Sequence, residues 1–167
     1  MLKGIFIKHL KRECDERGNF TEIMRRDWKD LLGRDKLVQI NFSITYPGII
    51  RAWHRHNRGQ IDYMLVVNGT LKICAYDERT RELDEIVSTG LNLQVVRMPG
   101  HYWHGFKVVG NEIAFLVYFT TKLYEYQNPD EERRLWDDPK IVPKLINGRK
   151  DDPRTGKPWD WNQPPYK

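Results

Sequence analysis

A succession of short segments, each alternating apolar and polar residues and each ending in turn residues, fills most of this chain of 167 residues. Asn68-Gly69, between two of these segments, is the strongest short-range signal for a β-hairpin. The predicted strands are residues 2–10, 19–25, 37–44, 61–67, 70–76, 83–88, 93–98, 103–109 and 112–119. Short strands at this spacing indicate an all-β sandwich, jelly roll or barrel.

Helical signals are few and short. Residues 27–33 predict one or two helical turns, with Asp27 as the cap and Gly33 as the stop. Residues 129–136 predict a second short helix, because Asn128 can cap it and a proline stands at its first position. We therefore expect an all-β fold that carries only a few short helices.

The composition of the chain changes near its C-terminal end. Residues 147–167 are rich in proline, glycine and charged residues, which predicts an irregular tail. Three aromatic residues in this stretch suggest that part of the tail docks on the rest of the protein. We therefore predict one jelly-roll domain over residues 1–146, followed by an irregular tail over residues 147–167.

Charge and hydropathy exclude several classes of function. The net charge is +5, but acidic residues are interleaved with the basic ones, so the one-sided basic stripe of a nucleic-acid binding protein is missing. A mild positive balance suits a small anionic ligand. No apolar run approaches the ~20 residues of a membrane helix, and the first residues do not resemble a signal peptide. Cys14 and Cys74 lack the spacing of a metal or redox pair. We expect a cytoplasmic protein with no nucleic-acid or membrane partner.

The segment at residues 37–44 carries short neutral polar side chains on one face and apolar side chains on the other. The polar face consists of Gln39, Asn41 and Ser43. A face turned to solvent favours charged residues, whereas neutral hydrogen-bonding groups suit the lining of a cavity. The sequence alone leaves both interpretations open.

Four of the five histidines fall in two short segments, RAWHRH at 51–56 and MPGHYWHGF at 98–106. Histidine titrates near neutral pH, so a cluster of histidines indicates proton transfer or metal binding. A set of His54, His56, Gln60 and His104 would suit zinc, iron, nickel or copper, although glutamine is a weaker ligand than glutamate. The alternative is a pocket of hydrogen-bonding residues without metal.

Tyrosines follow the last predicted core strand. Tyr118 ends that strand, so its side chain can face the interior. A buried tyrosine hydroxyl needs a partner, and a tyrosine across a pocket from a histidine can donate a proton. A tyrosine without such a neighbour is a packing residue, so its role depends on where the histidines lie.

Several segments, taken in order, resemble the dTDP-4-dehydrorhamnose 3,5-epimerase family. The matching segments are DERGNFTE at 15–22, QINFS at 39–43, GIIRAWH at 48–54, YDER at 76–79, PGHYWHGF at 99–106, Tyr118 with Tyr124, and WDDP at 136–139. Each segment is weak by itself, but their order and spacing together are specific. The resemblance implies a cupin-type jelly roll, also called a double-stranded β-helix barrel.

The family acts on nucleotide-linked 4-keto-6-deoxy sugars without a cofactor. The resemblance implies that His54 removes a proton next to the ketone and that Tyr118 returns one on the opposite face of the ring. Further catalytic positions fall on Asp62, His104 and Asp77. Substrate-binding positions fall on Arg17, Phe20, Glu22, Gln39, Asn41, Arg51, His56, Gln60 and Tyr124. The resemblance also implies a homodimer with exchanged N-terminal strands.

The chain departs from the family pattern around the histidines. Asp62 stands where the family has the lysine that stabilises the enolate, and His56 stands where the family has glutamine. The aspartate that orients the catalytic histidine is not recognisable, and Asp151 or Asp152 could replace it. We therefore expect a divergent epimerase or isomerase. A metal-dependent cupin and a catalytically silent binding protein for nucleotide sugars are the alternatives.

Overall fold

Two β-sheets face each other in the computed structural model, which describes residues 1–166. The strands are β1 (Phe6–His9), β2 (Glu13–Asp15), β3 (Gly18–Phe20), β4 (Gln39–Thr45), β5 (Ile50–Arg55), β6 (Ile61–Asn68), β7 (Thr70–Asp77), β8 (Glu82–Thr89), β9 (Gln94–Pro99), β10 (Trp103–Val108), β11 (Ala114–Thr120), β12 (Glu132–Arg133) and β13 (Leu145–Ile146). The single helix of the described residues, α1, spans Lys29–Leu32.

The strand order explains how distant segments meet. One sheet has the order β1-β9-β6-β11-β4, and the other has the order β12-β5-β10-β7-β8-β13. All pairs are antiparallel except β8 with β13. β2 and β3 form a separate hairpin. The predicted all-β fold is therefore confirmed, and the predicted Asn68-Gly69 turn joins β6 to β7.

The core has three apolar layers. The central layer, between the two sheets, contains residues such as Ile73, Val96 and Leu116. A second layer lies on the outer face of the five-stranded sheet, where helix α1 packs through its two leucines. The third layer lies on the outer face of the six-stranded sheet and contains Trp159 and Trp161 of the tail. The tail is irregular, as predicted, and its tryptophans are buried.

The first predicted helix forms with a shorter extent than expected. α1 begins after Trp28 rather than after Asp27, and no side chain caps it. Asp27 instead pairs with Arg25. Gly33 ends the helix with a positive φ of 56°, a conformation that glycine adopts without steric cost.

The predicted helix at residues 129–136 is wrong. Glu132 and Arg133 form β12, which pairs with Arg55 and His54 of β5. Trp53 and Arg134 exchange backbone hydrogen bonds of 3.2 Å and 3.0 Å next to this pair. Local propensity favoured a helix, but the open edge of β5 offers the segment backbone partners that a helix would not use.

Strand β4 has an unusual distribution of polar and apolar faces. Its polar residues point between the sheets, whereas Ile40, Phe42 and Ile44 are exposed. β4 is an edge strand, so this apolar face is continuous with the sheet edge. Of the two interpretations of the 37–44 segment, the cavity lining is the one that the structure supports. No helix of the described residues has the length and apolarity needed to cross a bilayer.

Candidate active site

A cavity of about 680 Å³ opens between the two sheets. The five-stranded sheet forms one wall with polar residues of β4, β6 and β11, and the six-stranded sheet forms the other wall with β5 and β10. The lining residues with polar or aromatic side chains are Gln39, Asn41, Ser43, Arg51, Trp53, His54, His56, Gln60, Asp62, Phe106, Tyr118, Thr120, Lys122, Tyr124, Tyr126, Glu131, Arg133, Arg134 and Trp136.

Strand register brings the wall of the five-stranded sheet together. Tyr118 lies opposite Asn41 on one side and opposite Met64 on the other. Asp62 lies opposite Thr120. Because alternate residues of a strand share a face, Gln39 and Asn41 point into the cavity with Tyr118. The amide of Gln39 donates to Asn41 Oδ1 at 2.8 Å, so these two side chains hold each other in position.

The histidines meet on the other wall. His54 of β5 lies directly opposite His104 of β10, and their ring centroids are 4.1 Å apart. His56 follows the end of β5, with its ring 5.4 Å from that of His54. Gly100 leaves room for the His56 side chain, because a Cβ at this position would lie 2.8 Å from the Cβ of His56. His104 is fully buried behind the cavity wall.

Asp62 is buried between two of the histidines. Its Oδ2 lies 3.6 Å from Nε2 of His56 and 3.5 Å from Nε2 of His104. The Gln60 amide donates to Asp62 Oδ1 at 2.8 Å and lies 3.2 Å from His56 Nε2. The Nδ1 atoms of His56 and His104 contact the backbone oxygens of Asp130 and Tyr102 at 2.5 Å and 2.8 Å.

This arrangement shifts the pKa values of His54, His56 and Asp62 in different directions. Burial, followed by the nearby His104 and His56, holds the pKa of His54 well below its ordinary value of 6.5. Burial also opposes charge on His56, but the hydrogen bond and negative charge of Asp62 outweigh it and raise the pKa of His56. Burial opposes charge on Asp62, yet contacts with His104 and His56 lower the pKa of its carboxyl. His54 is therefore a neutral base next to an imidazole that favours its charged form.

Tyr118 keeps its proton more firmly than a free tyrosine. Burial is the main cause of its raised pKa, and the negative charge of Asp62 adds to it. Its phenol therefore remains a proton donor at neutral pH. The cavity thus has a neutral imidazole on one wall and a protonated phenol on the other.

The structure brings most of the predicted site residues to this cavity. Those at the cavity wall are Gln39, Asn41, Arg51, His54, His56, Gln60, Asp62, Tyr118 and Tyr124, with His104 directly behind them. Asp77 lies elsewhere, at the end of β7, where its carboxylate accepts the backbone N–H of Arg79. Asp151 and Asp152 pair with arginines of the tail.

The predicted nucleotide-binding residues of the β2–β3 region also lie outside the cavity lining. Arg17 pairs with Asp15, and Glu22 pairs with Arg25. Phe20 is exposed by 67% and has no place in the cavity wall of its own chain. Arg17, Phe20 and Glu22, which were predicted to bind the nucleotide, therefore lie at the surface and away from the histidines of their own chain.

Sequence reasoning did not assign to the site several cavity residues that follow β11. Lys122, Tyr126 and Trp136 line the mouth of the cavity together with Glu131 and Arg133. The signal for the last two was the alternation of a strand, because Glu131 and Arg133 face the cavity while the intervening Glu132 pairs with Arg55. The helical interpretation of residues 129–136 concealed this alternation.

Four side chains could hold a metal ion. One ligand atom from each of His54, His56, Asp62 and His104 lies within 4.8 Å of the others. The predicted metal set had Gln60 in place of Asp62. The structure makes Gln60 a hydrogen-bond donor to that carboxylate, so the stronger ligand occupies the position facing the histidines.

Comparisons with known proteins agree with this geometry. The family described as polysaccharide biosynthesis C-terminal domain matches residues 13–132. The probable low-salt glycan biosynthesis epimerase Agl13 of Haloferax volcanii is 39% identical over 141 residues, covering 81% of this chain and 89% of that protein. The spore coat polysaccharide biosynthesis protein SpsL of Bacillus subtilis is 34% identical over 146 residues, covering 84% and 94%.

Solved structures extend the comparison to three dimensions. The dTDP-6-deoxy-D-glucose-3,5-epimerase RmlC of Legionella pneumophila, in complex with dTDP-4-keto-L-rhamnose, superposes with a TM-score of 0.74. The two are 27% identical, and the match covers 84% of this chain and 77% of that one. The predicted resemblance is confirmed, and the chain belongs to the polysaccharide biosynthesis C-terminal domain family with the cupin-like fold of the dTDP-sugar epimerases.

Proposed function

We propose that the protein is an epimerase of a nucleoside-diphosphate-linked 4-keto-6-deoxy sugar. The observation that carries the proposal is the opposition of His54 and Tyr118, which line one cavity from facing sheets. Inversion of a carbon centre requires a base on one face of the sugar and an acid on the other. One relative that is named as a glycan biosynthesis epimerase and one solved structure that is named as a dTDP-sugar 3,5-epimerase support this reaction class.

The chemistry follows from the ketone at carbon 4. The ketone acidifies the hydrogens at carbons 3 and 5, and His54 accepts one of them because its lowered pKa keeps the ring neutral. The electron pair of the broken C–H bond moves onto the ketone oxygen and forms an enolate. Tyr118 then gives its proton to the same carbon from the opposite face, and the electron pair returns from oxygen to carbon. To close the cycle, His54 releases its proton to water and the Tyr118 phenolate takes up a proton from water.

The substrate's diphosphate needs positive charge, and the cavity wall supplies it. Arg51, Lys122 and Arg133 line the wall and mouth of the cavity. An arginine can bind phosphate oxygens in a forked geometry. Tyr124 and Trp136 lie at the same mouth and offer flat faces for a nucleobase. We assign the part of the cavity next to Tyr118 and Asn41 to the sugar.

The direct test is hydrogen exchange in heavy water. A panel of nucleoside-diphosphate 4-keto-6-deoxy sugars is incubated with the protein, and deuterium at carbons 3 and 5 is followed by NMR. We expect incorporation at one or both carbons of at least one sugar. A panel that shows binding but no incorporation would favour the catalytically silent alternative.

We also propose that the protein forms a homodimer. The exposed face of Ile40, Phe42 and Ile44 on β4 is too apolar for a surface that stays in water, and a second copy of this chain would cover it. Phe42 contacts Phe115 edge-on, with 5.8 Å between ring centroids, so the patch extends onto β11. β1 is also an edge strand, so its pairing with β9 can be made within one chain or by exchange between two.

A dimer would also give the exposed β2–β3 hairpin a function. In this proposal Arg17, Phe20 and Glu22 reach the nucleotide in the partner's cavity. Sedimentation should find dimers for the native chain and monomers for Phe42→Asp. Val87→Asp, at another exposed apolar residue, is the matched control and should leave dimers intact. A native chain that sediments as a monomer would contradict the dimer.

A cytoplasmic location without nucleic-acid partners stays a prediction. Fractionation of cells that express the protein, with nucleic acid measured in the purified fraction, is the corresponding test. Recovery in a secreted fraction, or purification with stoichiometric nucleic acid, would contradict it.

A further inference from the structure

The backbone oxygen of Trp136 accepts hydrogen bonds from two tryptophans that lie far from it in the sequence. Nε1 of Trp53 donates to it at 3.2 Å, and Nε1 of Trp161 donates to it at 3.1 Å. A carbonyl oxygen has two lone pairs, so the two indole donors saturate this acceptor. The two indole rings also pack on each other, with 4.7 Å between their centroids. Strand β5, the segment after β12 and the tail therefore meet at one backbone atom.

This junction lies directly beside the proposed base. Trp53 precedes His54 on β5, and its backbone exchanges hydrogen bonds of 3.2 Å and 3.0 Å with Arg134. Trp53, Arg134 and Trp136 all line the cavity. The segment after β12 thus forms part of the cavity mouth, and contacts of Trp53 and Trp161 set its distance from His54.

The part of the tail that carries Trp161 is fixed to the six-stranded sheet. The Trp161 side chain is fully buried. Nζ of Lys72 on β7 donates to the backbone oxygens of Trp161 and Gln163 at 3.3 Å and 2.5 Å. Nζ of Lys107 on β10 donates to Oδ1 of Asn162 at 2.6 Å. Trp161 therefore reaches the junction from an anchored segment, and its indole N–H points to one acceptor.

A second tryptophan of the tail is buried nearby without taking part in the junction. Trp159 belongs to the same apolar cluster, and its ring centroid lies 6.3 Å from that of Trp161. Its Nε1 has no hydrogen-bond partner within residues 1–166. Its ring packs against the guanidinium of Arg154, at 5.3 Å. The contacts of Trp159 thus stabilise the tail, whereas Trp161 also donates its N–H to the cavity mouth.

We propose that Trp161 is a positioning residue for substrate binding, because it holds the backbone of Trp136 at a fixed distance from His54. Trp161 does not line the cavity, so it acts through Trp53 and Trp136 rather than by touching the sugar. The effect on substrate binding rests on the proposed function, in which the Trp136 ring faces the nucleobase. The shared hydrogen-bond acceptor does not rest on that function. The tail is then part of the substrate-binding apparatus.

Kinetics of the full chain test the proposal. Trp161→Phe keeps an aromatic ring in the core and removes the indole N–H. On an accepted sugar it should raise KM by roughly 3–10-fold, the worth of one net hydrogen bond, with kcat within about two-fold of the native value. Binding of dTDP, measured by calorimetry, should weaken by the same factor. Trp159→Phe is the matched control, because the N–H that it removes has no partner in the described residues, and it should leave KM, kcat and dTDP binding native.

An NMR measurement checks the junction without any sugar. In protein that carries ¹⁵N-labelled tryptophan, Trp161→Phe should shift the indole N–H signal of Trp53, because Trp53 then remains as the one indole donor to Trp136. Trp159→Phe should leave this signal close to its native position. Trp53→Phe is the second variant and should shift the Trp161 signal, which keeps the junction testable if Trp161→Phe does not fold. Circular dichroism verifies the folding of each variant.

Three results would overturn the positioning role. They are a native KM in folded Trp161→Phe, equal rises of KM in Trp161→Phe and Trp159→Phe, and an unshifted Trp53 indole signal in Trp161→Phe. If no sugar of the panel exchanges hydrogen, the proposed function fails by itself. In that case calorimetry with dTDP and the indole signals still decide whether Trp161 positions the cavity mouth.

Discussion

Two buried clusters of titratable side chains differ in how their charges are matched. The cluster beneath the tail contains Lys72, Glu85, Asp152 and Arg154, so two positive charges face two negative ones. Lys72 and Arg154 lie 3.2 Å and 2.9 Å from the carboxylate of Glu85. The cluster at the cavity contains three imidazoles and one carboxylate, with no permanently positive group among its members. The first cluster is balanced by permanently charged groups, whereas the carboxylate of the second is balanced only when a histidine such as His56 is protonated.

The difference has a structural consequence for each cluster. Lys72 also donates to the backbone oxygens of Trp161 and Gln163, so the balanced cluster joins the tail to the six-stranded sheet. Its charges are paired with one another inside the fold, and none of its residues lines the cavity. The unbalanced cluster lies at a cavity wall, and protonation of His56 supplies the positive charge that it lacks. Incomplete charge compensation in a buried group is therefore the feature that separates a site from a structural contact.

The largest effect is expected from the cavity cluster. His54→Ala should lower the rate of hydrogen exchange on an accepted sugar by roughly 10²–10⁴-fold, the usual contribution of a general base. The melting temperature should change little, because the His54 side chain makes no hydrogen bond to any of residues 1–166, which the structure describes. His101→Ala is the control and should exchange at the native rate. If His54→Ala exchanged sugar hydrogens at the native rate, the cavity cluster would have no catalytic role that distinguishes it from the structural cluster beneath the tail.

A smaller effect, on stability alone, is expected from the cluster beneath the tail. Arg154→Met removes one partner of a buried ion pair and should lower the free energy of unfolding by about 3–5 kcal/mol. Arg149→Met breaks the exposed pair with Asp151 and should cost at most about 1 kcal/mol. Urea denaturation measures both. The rate of hydrogen exchange on the sugar, per folded molecule, should equal that of the native protein in each variant. A loss of this rate in folded Arg154→Met would contradict the purely structural role of Arg154.

The same experiment bears on the domain boundary. The division into a domain over residues 1–146 and a tail over residues 147–167 stays a prediction. Trp159 and Trp161 of the tail are buried in one of the core clusters, so the tail packs as part of the same core. We propose that the tail and the sheets unfold together. A separate, earlier transition in Arg154→Met would show that the tail is an independent unit.

Most of the strands and the cavity wall could be predicted because their signals are local, although the predicted strand at residues 19–25 forms only as part of β3 (Gly18–Phe20). The alternation of Gln39 and Asn41 with apolar residues reports which face lines a cavity. The resemblance also brought His54, His104 and Tyr118 together correctly, since antiparallel register places them there. β12 could not be predicted, because its conformation depends on the free edge of β5 rather than on its own residues.

The two buried clusters illustrate the same limit. Charged residues such as Lys72 and Arg154 look like solvated residues in the sequence, and only the docked tail buries them. The sequence shows that Asp62 departs from the family pattern, but it does not show which groups surround its carboxylate. The position of Asp62 between two histidine Nε2 atoms depends on the pairing of β6 with its neighbours. Charge balance in a folded protein depends on the distances between its charged side chains, and the sequence alone does not give these distances.

The most direct test of the central claim separates proton removal from inversion. Deuterium incorporation and the amount of inverted sugar are measured by NMR in heavy water for the native protein, His54→Ala and Tyr118→Phe. If His54 is the base and Tyr118 the acid, Tyr118→Phe should still incorporate deuterium, because His54 returns a solvent deuteron to the original face. Its inversion should fall by roughly 10²-fold or more, while His54→Ala loses both signals. Native inversion by Tyr118→Phe, or normal incorporation by His54→Ala, would contradict the account.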